Sequence, residues 1–212
     1  MTLEVAIIDY QMSNLHSVHS ACNKVGLNTK ITSNPSEIFD AKIAILPGVG
    51  SFKSAMNNIG RLKLDNCIHN YVESGKTLVG ICLGLQLLFS KSYEFGKTSG
   101  LDIIKGSVKK FEFSKDNNFS IPHINWNKII KTKKWENTPL CRVKNNSYMY
   151  FVHSYYVEPE EKSVILSETV YGNIKFCSAI SKNNIFATQF HPEKSSKIGL
   201  DIYESLKDRI IK

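Results

Sequence analysis

Cys82 stands in Gly80-Ile-Cys-Leu-Gly84, between an apolar run of strand type, Thr77-Leu-Val-Gly-Ile81, and a helix-forming stretch from Leu83 to Ser90. This is the mechanical layout of a nucleophile elbow, with sulfur where G-x-S-x-G carries oxygen. Gly80 and Gly84 let strand and helix close around the turn. The helix that starts after the sulfur points its free N–H groups and positive dipole end at it, which favours the thiolate. A buried cysteine at a corner is common in protein cores, so its meaning turns on its partners. A cysteine nucleophile needs a base within hydrogen-bond reach, an acid to orient that base, and N–H donors where an oxyanion forms.

Six histidines are available as the base. His16, His19 and His69 lie on predicted helices and read as structural, while His123 and His153 lie in motif-like segments and stay open. His191 is different, because Ala187-Thr-Gln-Phe-His-Pro-Glu193 sets it just past a strand that Pro192 stops. Extended residues i and i+2 point the same way, so the Glu193 carboxylate can reach the imidazole, fix its tautomer and stabilise the imidazolium. Cys82, His191 and Glu193 thus form a candidate triad. The backbone N–H of Leu83, after the nucleophile, is one candidate oxyanion donor. The glycine loop Pro47-Gly-Val-Gly50 can turn a second N–H, that of Val49, toward the site. No Lys-Ser or Lys-Thr follows those glycines, which argues against a phosphate cradle there.

The elements that must hold these residues follow from periodicity. Val5-Ala-Ile-Ile-Asp9 reads as a first parallel strand buried on both faces, followed by a helix from about Leu15 to Val25 that Gly26 stops. Asn28 to Thr32 and Lys42 to Leu46 are further strands, Ser51-Phe52 opens a helix, and Leu62 to Glu73 is another. Strands alternating with helices up to Cys82 indicate a parallel sheet with right-handed crossovers, and such sheets gather functional groups at the carboxyl ends of their strands. Asp9-Tyr10, Pro47 to Gly50 and Cys82 all fall there and are expected to be neighbours. Beyond residue 100 the rhythm changes. Ile104 to Phe113, Tyr148 to Glu158, Val164 to Glu168, Ile174 to Ile180 and Ile185 to Gln189 read as strands of an antiparallel extension. Ile121-Pro-His-Ile-Asn-Trp-Asn127 carries too many turn and aromatic residues for a simple element. An amphipathic helix from Ser196 to about Ile211 ends the chain.

At 212 residues without a Pro- or Ser-rich linker, the chain is expected to be one domain, 1–212. No apolar run approaches the roughly 20 residues that span a bilayer, and Thr2 to Tyr10 lacks the basic start of a signal peptide. Five scattered cysteines without C-x-x-C spacing suggest reduced thiols in a cytoplasm, not a disulfide frame or a zinc site, so no metal and no cofactor is expected. The net charge of +8 is spread along the chain without an aromatic-basic RNA motif, which fits a solvated lysine-rich surface better than nucleic acid or membrane binding.

The segments LPGVGSF, GICLGLQLLF, YFVHSYY and QFHPEKS together resemble class I, triad-type glutamine amidotransferases. Among these the chain most resembles the glutaminase subunits of imidazole glycerol phosphate synthases, over Asp9 to Ser195. The resemblance implies a flavodoxin-like α/β fold, and hydrolysis of glutamine to glutamate and ammonia by Cys82, His191 and Glu193. It implies that glutamine is held by Gly48 and Gly50, by Gln86, and by the segment His153-Ser154-Tyr155, with Ser154 and Tyr155 as its binding residues, largely through backbone. It also implies a heterodimer with a (β/α)8 cyclase subunit that takes the ammonia through a sheltered channel in histidine biosynthesis, with Asn14, Trp126 and Lys194 on the docking face. In that docking region this chain has Gln11, Ser13 and Asn125 where the family usually has glycine. These departures leave open a paralogue that feeds another synthase, such as a surface-polysaccharide sugar amidotransferase. A scaffold protein would be expected to have lost triad members, and a cysteine protease to lack the small polar site implied around Gln86.

Overall fold

The computed structural model describes residues 3–12, 14–113 and 119–211; Ser13 lies outside them. Its first half runs β1 (Val5–Ile8), α1 (Leu15–Lys24), β2 (Thr29–Thr32), α2 (Pro35–Asp40), β3 (Ile43–Gly48), α3 (Phe52–Arg61), α4 (Leu64–Glu73), β4 (Thr77–Cys82) and α5 (Leu83–Leu87). The second half runs β5 (Phe89–Ser92), β6 (Thr98–Ser99), β7 (Ile104–Lys110), β8 (His123–Lys128), β9 (Ile130–Lys131), β10 (Tyr148–His153), β11 (Tyr155–Pro159), β12 (Ile165–Tyr171), β13 (Ile174–Lys182), β14 (Ile185–Thr188) and α6 (Ser196–Ile211).

One large sheet takes the order β2-β1-β3-β4-β14-β13-β11-β7-β5-β6, and β12 and β9 branch from β13. From β2 to β14 the neighbours are parallel, and β14, β13, β11 and β7 then pair antiparallel. Strand β1 alternates between two cores: Ala6 and Ile8 pack with α2 to α5, and Val5 and Ile7 with α1 and α6. That period of two is what a strand covered by helices on both faces requires. No helix among the described residues is long and apolar enough to cross a membrane.

The antiparallel part is not purely C-terminal. β5 to β7 come from mid-chain, while β14 crosses back to lie parallel beside β4, with Thr188 opposite Ile81. A two-residue hairpin loop, Asn183-Asn184 with Asn183 at φ +52, turns β13 into β14. Three expectations need correction. The helix after Cys82 stops at Leu87, not Ser90, because Phe89 starts a strand paired with β7. The run Tyr148 to Glu158 is two strands in different sheets, β10 pairing β8 and β11 pairing β7 and β13, with the break at Ser154. Ile121 to Asn127, which looked irregular, supplies β8, an ordinary antiparallel partner of β10. Short α2 was not anticipated, although Asn34 caps it by accepting the Ser36 N–H at 2.9 Å and Pro35 opens it.

Candidate active site

Gly48 and Cys82 end adjacent parallel strands and lie opposite each other in register. The carboxyl edge of the sheet therefore brings the glycine loop to the cysteine. Tyr10, two residues past β1, donates its hydroxyl to Pro47 O at 2.7 Å, so the three strand ends are neighbours as the topology demands. Cys82 has φ +54 and ψ −107, a backbone state that a side-chain-bearing residue holds only under constraint. The constraint is close packing: a Cβ on Gly84 would lie 1.7 Å from Leu46 O, and one on Gly80 3.0 Å from the Ala187 Cβ. Leu83 is the first residue of α5, so its N–H is among those a helix leaves without an intrahelical acceptor.

His191 arrives on the chain leaving β14, next to β4. Its backbone N–H donates to Tyr150 O at 2.9 Å, and its carbonyl accepts the Ser195 hydroxyl at 2.6 Å. Its Nδ1 meets Glu193 Oε1 at 2.7 Å, and both side chains are buried. The carboxylate can only accept, so Nδ1 carries the proton, and Nε2, buried without a hydrogen-bond partner among the described residues, is the nitrogen free for Cys82. Burial opposes charge on this imidazole, but its interactions with Cys82 and then Glu193 outweigh it and hold His191 above the ordinary imidazole range. The raised imidazole favours an imidazolium beside Cys82, an acid ready for a leaving group.

Cys82 opens onto a cavity of about 250 Å³ lined by Val49, Gly50, Gln86, Glu94, Ser154 and Tyr155. Gln86 gives its Nε2 hydrogens to Tyr155 O and to Gln189 Oε1, both at 3.0 Å. Gln189 in turn gives Nε2 to Cys82 Sγ at 3.6 Å. Gly48 is pinned beneath the loop, since a Cβ there would fall 1.9 Å from the Tyr10 hydroxyl. Glu94 holds its carboxylate against the first N–H of α3, accepting from Phe52 N at 2.5 Å.

The three docking-face candidates have distinct settings. Asn14 is turned inward and donates Nδ2 to Glu193 Oε1 at 2.9 Å, so it bears on the triad carboxylate directly. Trp126 is 44% exposed on β8, with its ring 6.1 Å from that of Tyr150. Exposed Lys194 places Nζ 5.9 Å over the same Tyr150 ring. Gln11 occupies φ +64, a position glycine would fill without strain, and is held by its N–H to Asp9 Oδ1 at 2.8 Å and by Arg61 on its amide oxygen. Asn125 keeps an ordinary backbone and caps the N–H of Trp126 at 2.8 Å.

Sequence reasoning passed over two groups. Gln189 lies two residues before His191 on a strand leaving β14, so the i, i+2 rule that found Glu193 would also have found it. Glu94 gave no signal, because only the return of β5 past α3 brings it to the cavity.

A cysteine in a strained strand-to-helix elbow, backed by a His–carboxylate pair at the carboxyl edge of a parallel sheet, defines a class: enzymes that transfer an acyl group through a thioester. The chain belongs to the class-I glutamine amidotransferase family, whose model matches residues 6–204. It is 43% identical over 200 residues to the imidazole glycerol phosphate synthase subunit HisH of Bacillus subtilis (93% of this chain, 92% of the relative). It is 45% identical over 206 residues to that of Aquifex aeolicus (97% and 96%). Solved structures share the fold at low identity. The PurLQS structure from Thermotoga maritima aligns with TM-score 0.75 at 17% identity, covering all of both chains. The glutaminase domain of Trypanosoma brucei CTPS with bound acivicin aligns with TM-score 0.67 at 14% identity, covering 99% of this chain and 94% of that one.

Proposed function

We propose that the chain, 1–212, is the glutaminase subunit of an imidazole glycerol phosphate synthase, acting in the cytoplasm and passing ammonia to a (β/α)8 cyclase subunit. The observation that carries the chemistry is Cys82 at φ +54 at the mouth of the cavity, with the His191–Glu193 pair behind it. Identity of 43–45% along almost the whole chain to subunits of that synthase supports the acceptor over a sugar amidotransferase.

Glutamine enters with its side-chain amide at Cys82. A cavity of this size, below the roughly 300–1,000 Å³ of pockets for drug-sized ligands, suits one amino acid. Gly50, Ser154 and Tyr155 shape the walls, and Gly48 supports the loop from beneath. The hydrogens of Gln86 are engaged, so its amide oxygen is the atom offered to substrate. Glu94 supplies negative charge for the α-ammonium group. The Cys82 thiolate attacks the amide carbon, and the oxyanion is held by the N–H groups of Leu83 and Val49. His191 Nε2 protonates the amide nitrogen, the C–N bond breaks, and ammonia leaves a thioester. Water then gives a proton to His191 and attacks; the C–S bond breaks, releasing glutamate and restoring the thiolate and imidazolium. Glu193 and Asn14 hold the imidazole in its Nδ1–H form throughout. Trp126 and Lys194 offer the synthase an amphipathic contact beside the site.

The test is ammonia release from glutamine by the chain with its cyclase partner. Cys82→Ala abolishes it, and the gene restores growth to a histidine-requiring strain that lacks this subunit. Ammonia release unchanged by the substitution would overturn the chemistry; soluble protein without growth would overturn the acceptor.

A further inference from the structure

His123 and His153 face each other in register across β8 and β10, buried at 0% and 6% exposure among Phe111, Phe151, Tyr171 and Phe176. The contacts of the two rings assign every proton. His153 Nδ1 lies 2.8 Å from Tyr155 O, which can only accept, so Nδ1 carries hydrogen. In the neutral ring Nε2 is then an acceptor, and its partner at 3.1 Å, His123 Nδ1, must donate. His123 Nε2 in turn accepts from Asn127 Nδ2 at 3.4 Å. The Asn127 amide orientation is fixed independently, because Oδ1 takes the Lys128 N–H at 2.8 Å and Nδ2 also donates to Val170 O at 2.9 Å. A proton added to either ring would set two donors face to face, and burial holds both rings neutral, with His153 lowered to about 3 and His123 to about 4.

The series ends on the carbonyl that also binds Gln86, whose amide continues through Gln189 to Cys82 Sγ. One file of hydrogen bonds thus joins half-buried Asn127 on β8 to the nucleophile. The turn it pins, Ser154-Tyr155, is where β10 leaves one sheet and β11 joins the other, with Ser154 O accepting the Phe111 N–H at 3.1 Å and Tyr155 in register with Lys110.

We propose that His123 and His153 are positioning residues for the glutaminase site: a proton-ordered pair of neutral imidazoles, both Nδ1–H, that locks the Ser154–Tyr155 wall and the Gln86–Gln189 amides against Cys82. His123 lies outside the cavity, and His153, 6% exposed, borders it with both ring nitrogens engaged by Tyr155 O and His123. His123 acts by forcing the His153 tautomer, and His153 by donating to Tyr155 O. This rests on the glutaminase reading.

Two measurements test it. In the full chain labelled with 15N-histidine, both rings read as Nδ1–H tautomers from pH 5.5 to 8; an Nε2–H tautomer on either ring overturns the proposal. In the ammonia-release assay with partner, His123→Phe keeps a ring between Tyr171 and Phe151 but removes both nitrogens. It raises the KM for glutamine about tenfold, the scale of one buried hydrogen bond, and lowers kcat less. His153→Asn retains a donor at the δ position and stays within about threefold of wild type. Adding His123→Phe to His153→Asn costs little more, because the amide needs no tautomer forced on it. A purely structural role predicts additive losses and no KM bias, and either result overturns the proposal. Should His123→Phe fail to fold, the tautomer measurement on the wild-type chain decides. Wild-type protein that releases no ammonia would instead indict the glutaminase reading and leave the tautomers unaffected.

Discussion

Alanine at Gly84 isolates what the elbow demands of its neighbours. The added Cβ would fall 1.7 Å from Leu46 O and 2.8 Å from Leu46 C. An ordinary C···O contact is about 3.3 Å, so the two must separate by about 1.6 Å. Leu46 sits in β3, paired on one side with β1 and on the other with β4, and cannot yield. Helix α5 must lift instead, and it begins at the residue after Cys82. Overpacking of this kind costs about 1–3 kcal/mol of stability. The sulfur, carried off its line with His191 and the Leu83 N–H, loses more: a displacement of about 1 Å costs about 100-fold in rate, or about 2.7 kcal/mol of transition-state stabilisation. The control is Gly60→Ala in α3, where nothing lies within 4 Å of the new Cβ, so the same change should stabilise by about 0.5–1 kcal/mol. Urea midpoints and ammonia release with partner give both readings. Gly84→Ala with wild-type midpoint and wild-type kcat/KM would refute the account of the elbow as held by backbone packing.

Glu193→Gln keeps an oxygen for the His191 Nδ1–H and the Asn14 amide but removes the charge. The gap between a charged and a neutral hydrogen bond predicts a fall in kcat of at least about tenfold, with the alkaline limb of the pH–rate profile moving to lower pH; an unmoved limb would count against the imidazolium. Stability should also depend on pH with a worked sign. Buried His123 and His153 are neutral in the fold at about 4 and about 3 but near 6.5 when unfolded. The unfolded chain therefore binds more protons, and stability falls as pH drops below about 6.5. His191 is raised, so its contribution is complete below about 6.5 and lost on the alkaline side. Urea midpoints from pH 4.5 to 10 should form a dome, and a flat acid limb from 6.5 to 4.5 would refute the buried neutral pair.

Local pattern was enough to read most elements and the candidate cysteine elbow from the sequence. Apolar runs such as Val5 to Ile8 specify strands buried on two faces, and a cysteine between small residues at a strand-to-helix corner specifies an elbow. His191 and Glu193 are two residues apart on extended chain, so their pairing was a matter of period two. Tertiary structure alone decided which groups meet. β14 returns to lie parallel beside β4, and that non-local pairing, not spacing, sets His191 behind Cys82 across more than a hundred residues. The same holds for Gln189 on the sulfur, Glu94 at the head of α3, and Asn14 on Glu193. The break at Ser154 and the strand at His123 were hidden for one reason. Each half of Tyr148 to Glu158 has strand character, and only the competing partners β8 and β7 show that the chain changes sheets between them. Backbone period writes local form into a sequence, but the hydrogen-bond partners of a strand edge are chosen by the whole fold. The buried imidazoles follow from that choice.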